Sequence, residues 1–273
     1  MRRIIATLAV TLGTTLTACH TQPTPAAGLS ILEADPGLRS IVLVHGAWAD
    51  GSGWRAVREV LVRDGYSVSI VQHPLTSFDE DVAAVRRVLA LQDGPCLLVA
   101  HSYGGAVITE AGNHENVVGL VYVAAHMLDV GESEALTGKK FPSALSTSGA
   151  IRKTTDGYLY LDPAQFHTYF AADLSQDDAS FNAHSQVLIH GDNFDAVIKT
   201  PAWKTKPTWM IVAGSDKTIN PELERWYAAR AKSDTTELPG ASHSVYISRA
   251  PEVAGVIKKA AIRLGSAKAM SHP

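Results

Sequence analysis

The sequence predicts an α/β fold with a mostly parallel central sheet flanked by helices. Continuous apolar runs at residues 41–44, 117–125 and 207–213 are typical of strands that are covered on both faces. Segments between these runs, such as residues 54–64, carry apolar residues at helical spacing. Because strand-like and helix-like segments alternate, neighbouring strands are expected to be joined by helical crossovers and to run parallel.

The composition is that of a globular protein with a sizeable core. Of the 273 residues, 46% are hydrophobic and 19% are charged. Lysine and arginine number 24 against 27 aspartates and glutamates, which gives a formal net charge of −3. This balance gives no electrostatic reason to expect a nucleic-acid partner.

The N-terminus predicts an exported protein. Two arginines precede an apolar run at residues 4–16, which is too short to span a bilayer and is typical of a signal peptide, residues 1–18. The Leu-Thr-Ala-Cys motif that ends at Cys19 resembles the lipobox of bacterial lipoproteins. In that class the cysteine is lipid-modified and becomes the first residue of the mature chain. The alternative is ordinary cleavage near residues 26–27, which removes Cys19.

A lipid on Cys19 would tether a soluble domain to a membrane surface. His20 stands where many lipoproteins of the inner membrane carry aspartate, so the outer membrane is the expected address in the bacterial cell envelope. A soluble periplasmic or secreted form is the alternative. Residues 19–37, rich in Thr, Pro, Ala and Gly, are expected to form a flexible tether. Cys96 then has no disulfide partner and is expected to be a small buried residue.

The first predicted strand leads into a loop that can present backbone donors. Gly46 follows His45, and a glycine there lets the backbone turn and expose its N–H groups. The N–H of Ala47 is the candidate donor. His45 is interpreted as a brace for this loop and not as a catalytic base.

The next predicted units end in a candidate nucleophile. A capping-box pattern, Ser77 to Glu80, opens a helix, and residues 93–95 stop it before another strand. That strand ends in Ala-His-Ser-Tyr-Gly-Gly, which has the shape of a nucleophile elbow. The turn would expose the hydroxyl of Ser102 at the carboxyl edge of the sheet, where open α/β sheets bind ligands. The N–H of Tyr103 is the second candidate donor for an oxyanion.

The alternation of strand-like and helix-like segments is interrupted between residues 127 and 206, which predicts an insertion. Phenylalanine and tyrosine are scattered through it among Gly, Pro, Ser and Asp. A structureless loop of this length is uncommon, so the insertion is expected to be partly helical and to form a lid over the carboxyl edge of the sheet. Its aromatic side chains either line an apolar pocket or only pack the lid onto the body, and both alternatives stay open.

Two later loops supply a candidate acid and a candidate base. Asp216 follows the strand at residues 207–213 in a tight Gly-Ser-Asp turn, while Asp129, after the preceding strand, is the competing acid. His243 lies in a loop of small residues after the last predicted strand. A helix at residues 251–264 follows.

With Ser102, Asp216 and His243 in this order, residues 38–265 resemble the α/β-hydrolase superfamily, and residues 266–273 are left as a tail. The His-Gly-Ala-Trp loop and the Ala-His-Ser-Tyr-Gly-Gly turn look like those of small bacterial esterase-like hydrolases, which are related to plant methyl esterases and hydroxynitrile lyases. The resemblance implies a serine nucleophile, a histidine base, an orienting aspartate, no metal and no cofactor.

Two positions depart from that family. Ala100 stands where glycine is commoner, which implies slight strain in the elbow but removes no catalytic group. Ser244 follows His243 at the position where hydroxynitrile lyases carry a lysine that handles cyanide. This difference argues against lyase activity.

These residues predict hydrolysis of small to medium apolar esters through an acyl-enzyme, with a small-molecule ester as substrate. The same triad acting on lactones, thioesters or C–C bonds is an alternative, as is activity like that of the hydroxynitrile lyases. A catalytically silent binding protein of the cell envelope is an alternative of a different class. The full set of triad residues argues against it.

Overall fold

The computed structural model describes residues 37–270, with side chains described up to residue 266. The predicted signal peptide, Cys19 and all but the last residue of the predicted tether lie outside the described residues. Residues 271–273 lie outside them as well. Within the range 37–270, no helix combines the length and the apolar character that a membrane span requires.

The central sheet has the strand order and direction expected of an α/β protein. The strands are β1 (Ser40–Val44), β2 (Ser67–Val71), β3 (Cys96–Ser102), β4 (Val117–Ala125), β5 (Ile151–Lys153), β6 (Tyr158–Leu161), β7 (Ile189–His190), β8 (Thr208–Ala213) and β9 (Asp234–Leu238). Within the described part of the chain, six of them form one sheet in the order β2-β1-β3-β4-β8-β9. Each neighbouring pair is parallel. The prediction of a mostly parallel central sheet is confirmed.

Helices cover both faces of this sheet. They are α1 (Arg55–Arg63), α2 (Phe78–Ala90), α3 (Gly104–Ala111), α4 (Glu134–Lys140), α5 (Pro163–Tyr169), α6 (Gln176–His184), α7 (Pro221–Ala231), α8 (Val245–Ser248) and α9 (Ala250–Met270). Ile41 and Leu43 of β1 belong to an apolar cluster with α1 and α9, while Val42 and Val44 belong to a cluster with α2, α3 and α7. Successive strand residues point to opposite faces, so burial of both faces explains the continuous apolar runs.

Two boundaries follow the local signals in the sequence. β2 covers Ser67–Val71 and begins shortly after Gly65, whose φ of +84° allows the turn that ends α1. The hydroxyl of Ser77 caps α2 by accepting the Glu80 N–H at 3.3 Å, which is the contact that the capping-box pattern predicts.

The last helix is longer than predicted. α9 continues to Met270, beyond the expected end at residue 264, and so covers part of the segment 266–273 that was expected to be a tail. Glycine often ends a helix, but Gly265 lies inside α9, and its lack of a side chain has a different structural role. A Cβ at this position would lie 3.0 Å from the Cα of Gly37, so Gly265 permits close packing against the start of the domain.

The insertion at residues 127–206 is more regular than the sequence predicts. It contains α4, α5 and α6, and it also contains a small antiparallel sheet in the order β5-β6-β7. These strands have three, four and two residues. Runs this short carry no measurable alternation of apolar and polar residues, which is why the sequence pattern does not predict the sheet.

Candidate active site

The turn from β3 into α3 holds Ser102 in a backbone conformation that is uncommon for serine. Its φ is +55°, in the left-handed region, which costs about 1–3 kcal/mol and occurs most often at functional sites. The turn packs tightly: a Cβ on Gly46 would lie 2.6 Å from the Cβ of Ser102, and one on Gly104 would collide with the carbonyl oxygen of His45. Ala100 is buried within β3, so its methyl group lies in a regular strand and not in the turn.

Ser102, His243 and Asp216 form one hydrogen-bonded chain, and all three side chains are buried. The Nδ1 of His243 lies 2.5 Å from Asp216 Oδ2, and its Nε2 lies 2.8 Å from Ser102 Oγ. Because the carboxylate accepts the Nδ1 proton, the lone pair of Nε2 is directed at the serine hydroxyl. This is the arrangement in which a histidine acts as a general base toward a serine.

The loop after β8 fixes Asp216. Its Oδ1 accepts the backbone N–H groups of Thr218 at 2.7 Å and Ile219 at 2.9 Å, which leaves Oδ2 to His243. Asp129, the competing acid, instead pairs with Lys204 at 2.5 Å. Of the two candidate acids, only Asp216 contacts His243.

A buried glutamate lies beside Asp216. Glu224 Oε2 accepts the backbone N–H of Ala213 at 3.1 Å. Burial, together with the negative charge of Asp216, raises the pKa of Glu224 well above its ordinary value. This shift favours the neutral carboxylic acid, the form of Glu224 that adds no second negative charge next to the Asp216–His243 pair.

His101 supports the loop that carries His243. Its Nε2–H donates to the carbonyl oxygen of His243 at 2.9 Å. Its ring packs against the rings of His243 and Tyr246, with centroid distances of 4.5 and 4.2 Å. Burial and the nearby His243 lower the pKa of His101 well below its ordinary value, so its ring is neutral.

The insertion also holds the His243 loop. The backbone N–H and the Oγ of Ser244 both donate to the carbonyl oxygen of Phe170, each at 3.0 Å. Asp173 accepts the N–H of Ser242 at 3.1 Å, the Ser242 hydroxyl, and the hydroxyl of Ser248 at 2.7 Å. The insertion is therefore part of the framework that positions His243.

Ala47 and Tyr103, the two candidate oxyanion donors, both lie near Ser102. Ala47 lines the same cavity as Ser102, and Tyr103 directly follows it at the start of α3. Within the described part of the chain, neither backbone N–H donates to a protein group. Both N–H groups therefore keep their hydrogen-bonding capacity for a ligand.

A buried polar network fixes Tyr103. Its hydroxyl donates to Asp81 Oδ2 at 2.6 Å, and the Nδ2 of Asn193 donates to both groups at 3.1 Å. Burial and the Asp81 charge raise the pKa of Tyr103 well above its ordinary value, so the phenol stays protonated and keeps donating. Asn193 belongs to the insertion, which gives this side of the site a second contact with it.

His45 braces the loop of Ala47, as the sequence interpretation held. Its Nδ1–H donates to the carbonyl oxygen of Gly46 at 2.9 Å, and its ring stacks on that of His73 at 3.8 Å. The Nε2–H of His73 donates to the carbonyl oxygen of His45, also at 2.9 Å. Burial and the neighbouring His73 lower the pKa of His45 to about 3, which keeps this ring neutral.

A cavity of about 530 Å³ opens at Ser102. Its size is typical of sites for small organic ligands. The insertion and the body both contribute, and the apolar lining side chains include Trp48, Phe141, Leu145, Leu159, Phe194 and Leu223. Phe166 and Phe170 are instead buried in the core between insertion and body. Some aromatic residues of the insertion therefore line the cavity, and others pack the insertion onto the body, so both expected roles occur.

The sequence does not predict the roles of three residues of the site. Asp81 resembles a solvated acid in the first turn of α2, and Asp173 lies in a segment without a motif. His101 is visible as a neighbour of Ser102, but nothing in the sequence indicates its contact with His243.

Among residues 37–266, no group of three or more side chains is arranged to hold a metal ion.

The parallel sheet, the insertion after β4 and the serine at a strand-to-helix turn define an α/β hydrolase. A model of the alpha/beta hydrolase family matches residues 41–256, which is most of the chain. The chain therefore belongs to this family. A comparison with curated protein sequences gave no match.

The fold is shared with solved esterase and hydrolase structures. Polyneuridine aldehyde esterase matches at 18% identity with a TM-score of 0.72, over 81% of this chain and 98% of that chain. A pyrethroid hydrolase from Sphingobium faniae matches at 21% identity with a TM-score of 0.70, over 82% and 97%. A methylesterase from Arabidopsis matches at 18% identity with a TM-score of 0.67, over 82% and 98%. At these identities the similarity establishes the fold.

Proposed function

We propose that the protein is a serine carboxylesterase that cleaves small to medium apolar esters. The observation that carries the proposal is the unbroken hydrogen-bond chain from Ser102 through His243 to Asp216, at 2.8 and 2.5 Å, in the wall of a ligand-sized cavity. Membership of the alpha/beta hydrolase family supports a hydrolase. The names of two similar structures, an aldehyde esterase and a methylesterase, support an ester bond as the target.

The first half-reaction forms an acyl-enzyme. His243 Nε2 takes the proton of Ser102 Oγ as this oxygen attacks the ester carbonyl carbon, and Asp216 stabilises the imidazolium that results. The N–H groups of Ala47 and Tyr103 bind the oxyanion, and a donor of this kind contributes about 3–4 kcal/mol to catalysis. His243 then passes the proton to the departing alcohol oxygen, and the C–O bond of the ester breaks.

The second half-reaction releases the acid. A water molecule enters, His243 takes one of its protons, and the resulting hydroxide attacks the acyl carbon. Collapse of the second tetrahedral intermediate breaks the bond to Ser102 Oγ. The proton on His243 returns to the serine, so the cycle needs no metal and no cofactor.

The cavity supports an apolar acyl or aryl group as the main recognition element. Its largest lining side chains are aromatic or aliphatic, and burying such a group gains roughly 25 cal/mol for each Å² of apolar surface. The position after the base supports hydrolysis and not lyase chemistry. Ser244 carries no charge there, and its hydroxyl is occupied by the carbonyl oxygen of Phe170.

The cellular location that we propose is the bacterial cell envelope, with a lipid on Cys19 as the anchor. The support is the lipobox-like motif in the sequence. A lipid anchor would hold the domain at the membrane surface without spanning it.

Replacing the nucleophile tests the proposed mechanism. Ser102→Ala is expected to lower kcat for 4-nitrophenyl butanoate by on the order of 10⁴-fold or more, because no other group can form the acyl-enzyme. A fluorophosphonate probe should label the wild-type protein and not the variant. Ser52→Ala, at an exposed serine, is the matched control. Undiminished turnover by the Ser102 variant would refute the proposal.

A further inference from the structure

A buried carboxylate in the first turn of α2 joins the segments that surround the proposed oxyanion donors. The side chain of Asp81 is fully buried. Its Oδ1 accepts the backbone N–H of Leu75, in the loop between β2 and α2, at 2.8 Å. Its Oδ2 accepts the hydroxyl of Tyr103 at 2.6 Å and an Nδ2–H of Asn193, in the insertion, at 3.1 Å. Both oxygens are therefore engaged outside the helix that carries them.

The contact with Tyr103 restrains the oxyanion donor that follows Ser102. The Tyr103 ring packs edge-on against Phe78 and Phe194, with centroid distances of 6.4 and 6.0 Å. Apolar contacts are not directional, whereas a hydrogen bond to a carboxylate has a preferred length and direction. Because the hydroxyl and the backbone N–H belong to one residue at the start of α3, holding the ring also limits the movement of the N–H.

The contact with Leu75 restrains the loop of the other donor, Ala47. Leu75 has a φ of +59°, in the left-handed region, which a leucine adopts only where the surrounding contacts hold it. The same loop carries His73, whose Nε2–H donates to the carbonyl oxygen of His45 at 2.9 Å and whose ring stacks on that of His45. His45 lies two positions before Ala47. Asp81 therefore holds the Ala47 loop through the loop that follows β2.

Asn193 completes the network from the insertion. Its two Nδ2–H bonds donate to Asp81 Oδ2 and to the Tyr103 oxygen, each at 3.1 Å. Neither Asp81 nor Tyr103 is among the residues that line the cavity. Their side chains therefore act on the backbone donors and not on the substrate.

We propose that Asp81 is a positioning residue for catalysis, which holds the backbone N–H groups of Ala47 and Tyr103 where they bind the oxyanion. The inference rests on the proposed esterase function and adds to it the residue that keeps both donors in place. Oxyanion donors stabilise the transition state more than the bound substrate. Asp81 is therefore expected to determine kcat and to have little effect on KM.

Asp81→Asn tests the inference because it keeps the shape of the side chain and exchanges one acceptor for a donor. The amide oxygen can still accept the Leu75 N–H, but the amide NH2 then faces the Tyr103 hydroxyl and the Asn193 amide, so the phenol loses its acceptor. A displacement of about 1 Å costs on the order of 100-fold in rate, so kcat for 4-nitrophenyl butanoate should fall about 10- to 100-fold. KM should change by less than about threefold. Asp79→Asn, at an exposed acid of the same turn, is the matched control and should keep the wild-type values.

Two ketone inhibitors separate an effect on the oxyanion from an effect on the rest of the site. In 1,1,1-trifluoro-4-phenylbutan-2-one the carbonyl carbon bonds to Ser102 Oγ, the serine proton passes to His243 Nε2, and the carbonyl oxygen becomes an oxyanion. The methyl ketone 4-phenylbutan-2-one has a similar shape but forms no stable adduct of this kind. In Asp81→Asn the inhibition constant of the trifluoromethyl ketone should rise by about the factor by which kcat/KM falls, while that of the methyl ketone changes by less than about threefold. The acid limb of the pH profile of kcat/KM should keep its wild-type midpoint, because His243 is not displaced.

A folded Asp81→Asn protein with wild-type kcat would overturn the inference. Equal weakening of both ketones or a shifted midpoint would overturn it as well, since either result shows damage beyond the oxyanion donors. If Asp81→Asn does not fold, Tyr103→Phe replaces it, because this variant removes one contact of Oδ2 and leaves that of Oδ1 in place. Its kcat should fall at least about threefold with the same pattern of inhibition, and an unchanged kcat counts against the inference. Turnover by the wild-type protein that depends on Ser102 tests the esterase proposal separately, so the two failures are distinguishable.

Discussion

Replacing Asp173 by alanine is expected to lower kcat, because this residue joins the insertion to the loop of the proposed base. Asp173 lies between α5 and α6, and its carboxylate accepts the N–H of Ser242 at 3.1 Å, the Ser242 hydroxyl, and the hydroxyl of Ser248 at 2.7 Å. These serines flank His243 in the chain. The carboxylate therefore restrains the segment from which the imidazole reaches Ser102.

The expected size follows from these contacts. Hydrogen bonds to a charged acceptor contribute about 1.5–3 kcal/mol each, and donors that are freed at a half-buried site regain water, so we expect a loss of about 2–4 kcal/mol in unfolding free energy. The contacts of Ser244 with Phe170 remain, so the loop should shift without unfolding. A shift of about 1 Å costs on the order of 100-fold in rate, and we expect kcat to fall by about 10- to 100-fold.

Steady-state kinetics with 4-nitrophenyl butanoate distinguish a shift of His243 from a general disruption of the active site. KM should change by less than about threefold, since Asp173 is not among the residues that line the cavity. Asp173→Asn, which keeps one acceptor, should recover part of kcat. Asp177→Ala, at an exposed acid in the same insertion, is the control. An Asp173→Ala protein that is folded and has wild-type kcat would refute this account of how His243 is held.

Three further outcomes are expected. Tyr103→Phe should lower the unfolding free energy in urea by about 1–3 kcal/mol, because buried Asp81 loses a donor, and an unchanged value would contradict the network. Cys19→Ala should move the protein from the membrane fraction of expressing bacteria to the soluble fraction, and a wild-type protein that is already soluble would contradict the anchor. The unfolding free energy should fall slowly from pH 6.5 to pH 4.5 and more steeply below pH 4.5, as measured by urea denaturation.

Local signals predict the fold and the membership of the candidate site well. The four inner strands of the central sheet are mainly buried apolar runs, whereas the edge strands β2 and β9 are more polar and partly exposed. Ser102 ends β3, and Asp216 and His243 lie in the loops that follow β8 and β9. Because parallel strands bring their carboxyl ends to one edge, the chain order alone indicates that the three side chains meet. The family match confirms the fold, while the catalytic roles remain predictions for the Ser102→Ala experiment.

The contacts that position the side chains of the candidate site depend on the path of the insertion. The insertion shows no regular spacing of apolar residues from which this path could be predicted. Asp173 and Glu134 lie in this segment. Asp173 is significant because it contacts residues that are distant in the chain, and Glu134 because it lines the cavity. Asp81 meets Asn193 across 112 positions, yet in the sequence it is one of several acids that open α2. Side-chain networks of this kind follow from tertiary packing, so residue patterns cannot predict them.

The expected pH dependence follows from buried groups that stay neutral in the folded protein. Histidines with lowered pKa values take up protons on unfolding below pH 6.5, so they favour the unfolded chain progressively as the pH falls. The histidines concerned are His45, His101 and His126.

Glu134 and Glu224 act in the opposite direction above pH 4.5. Their raised pKa values keep them protonated when folded, whereas they ionise on unfolding. Three protons taken up less two released leave a net uptake of one, which corresponds to about 1.4 kcal/mol per pH unit. Below pH 4.5 the unfolded glutamates are protonated as well, so the three histidines act without opposition. Carboxyl groups with lowered pKa values, such as Glu110 and Asp129, then also take up protons on unfolding, which steepens the loss of stability. An unfolding free energy that stays constant down to pH 4 would show that these histidines are charged in the folded protein, which would contradict the neutral assignments of His45 and His126.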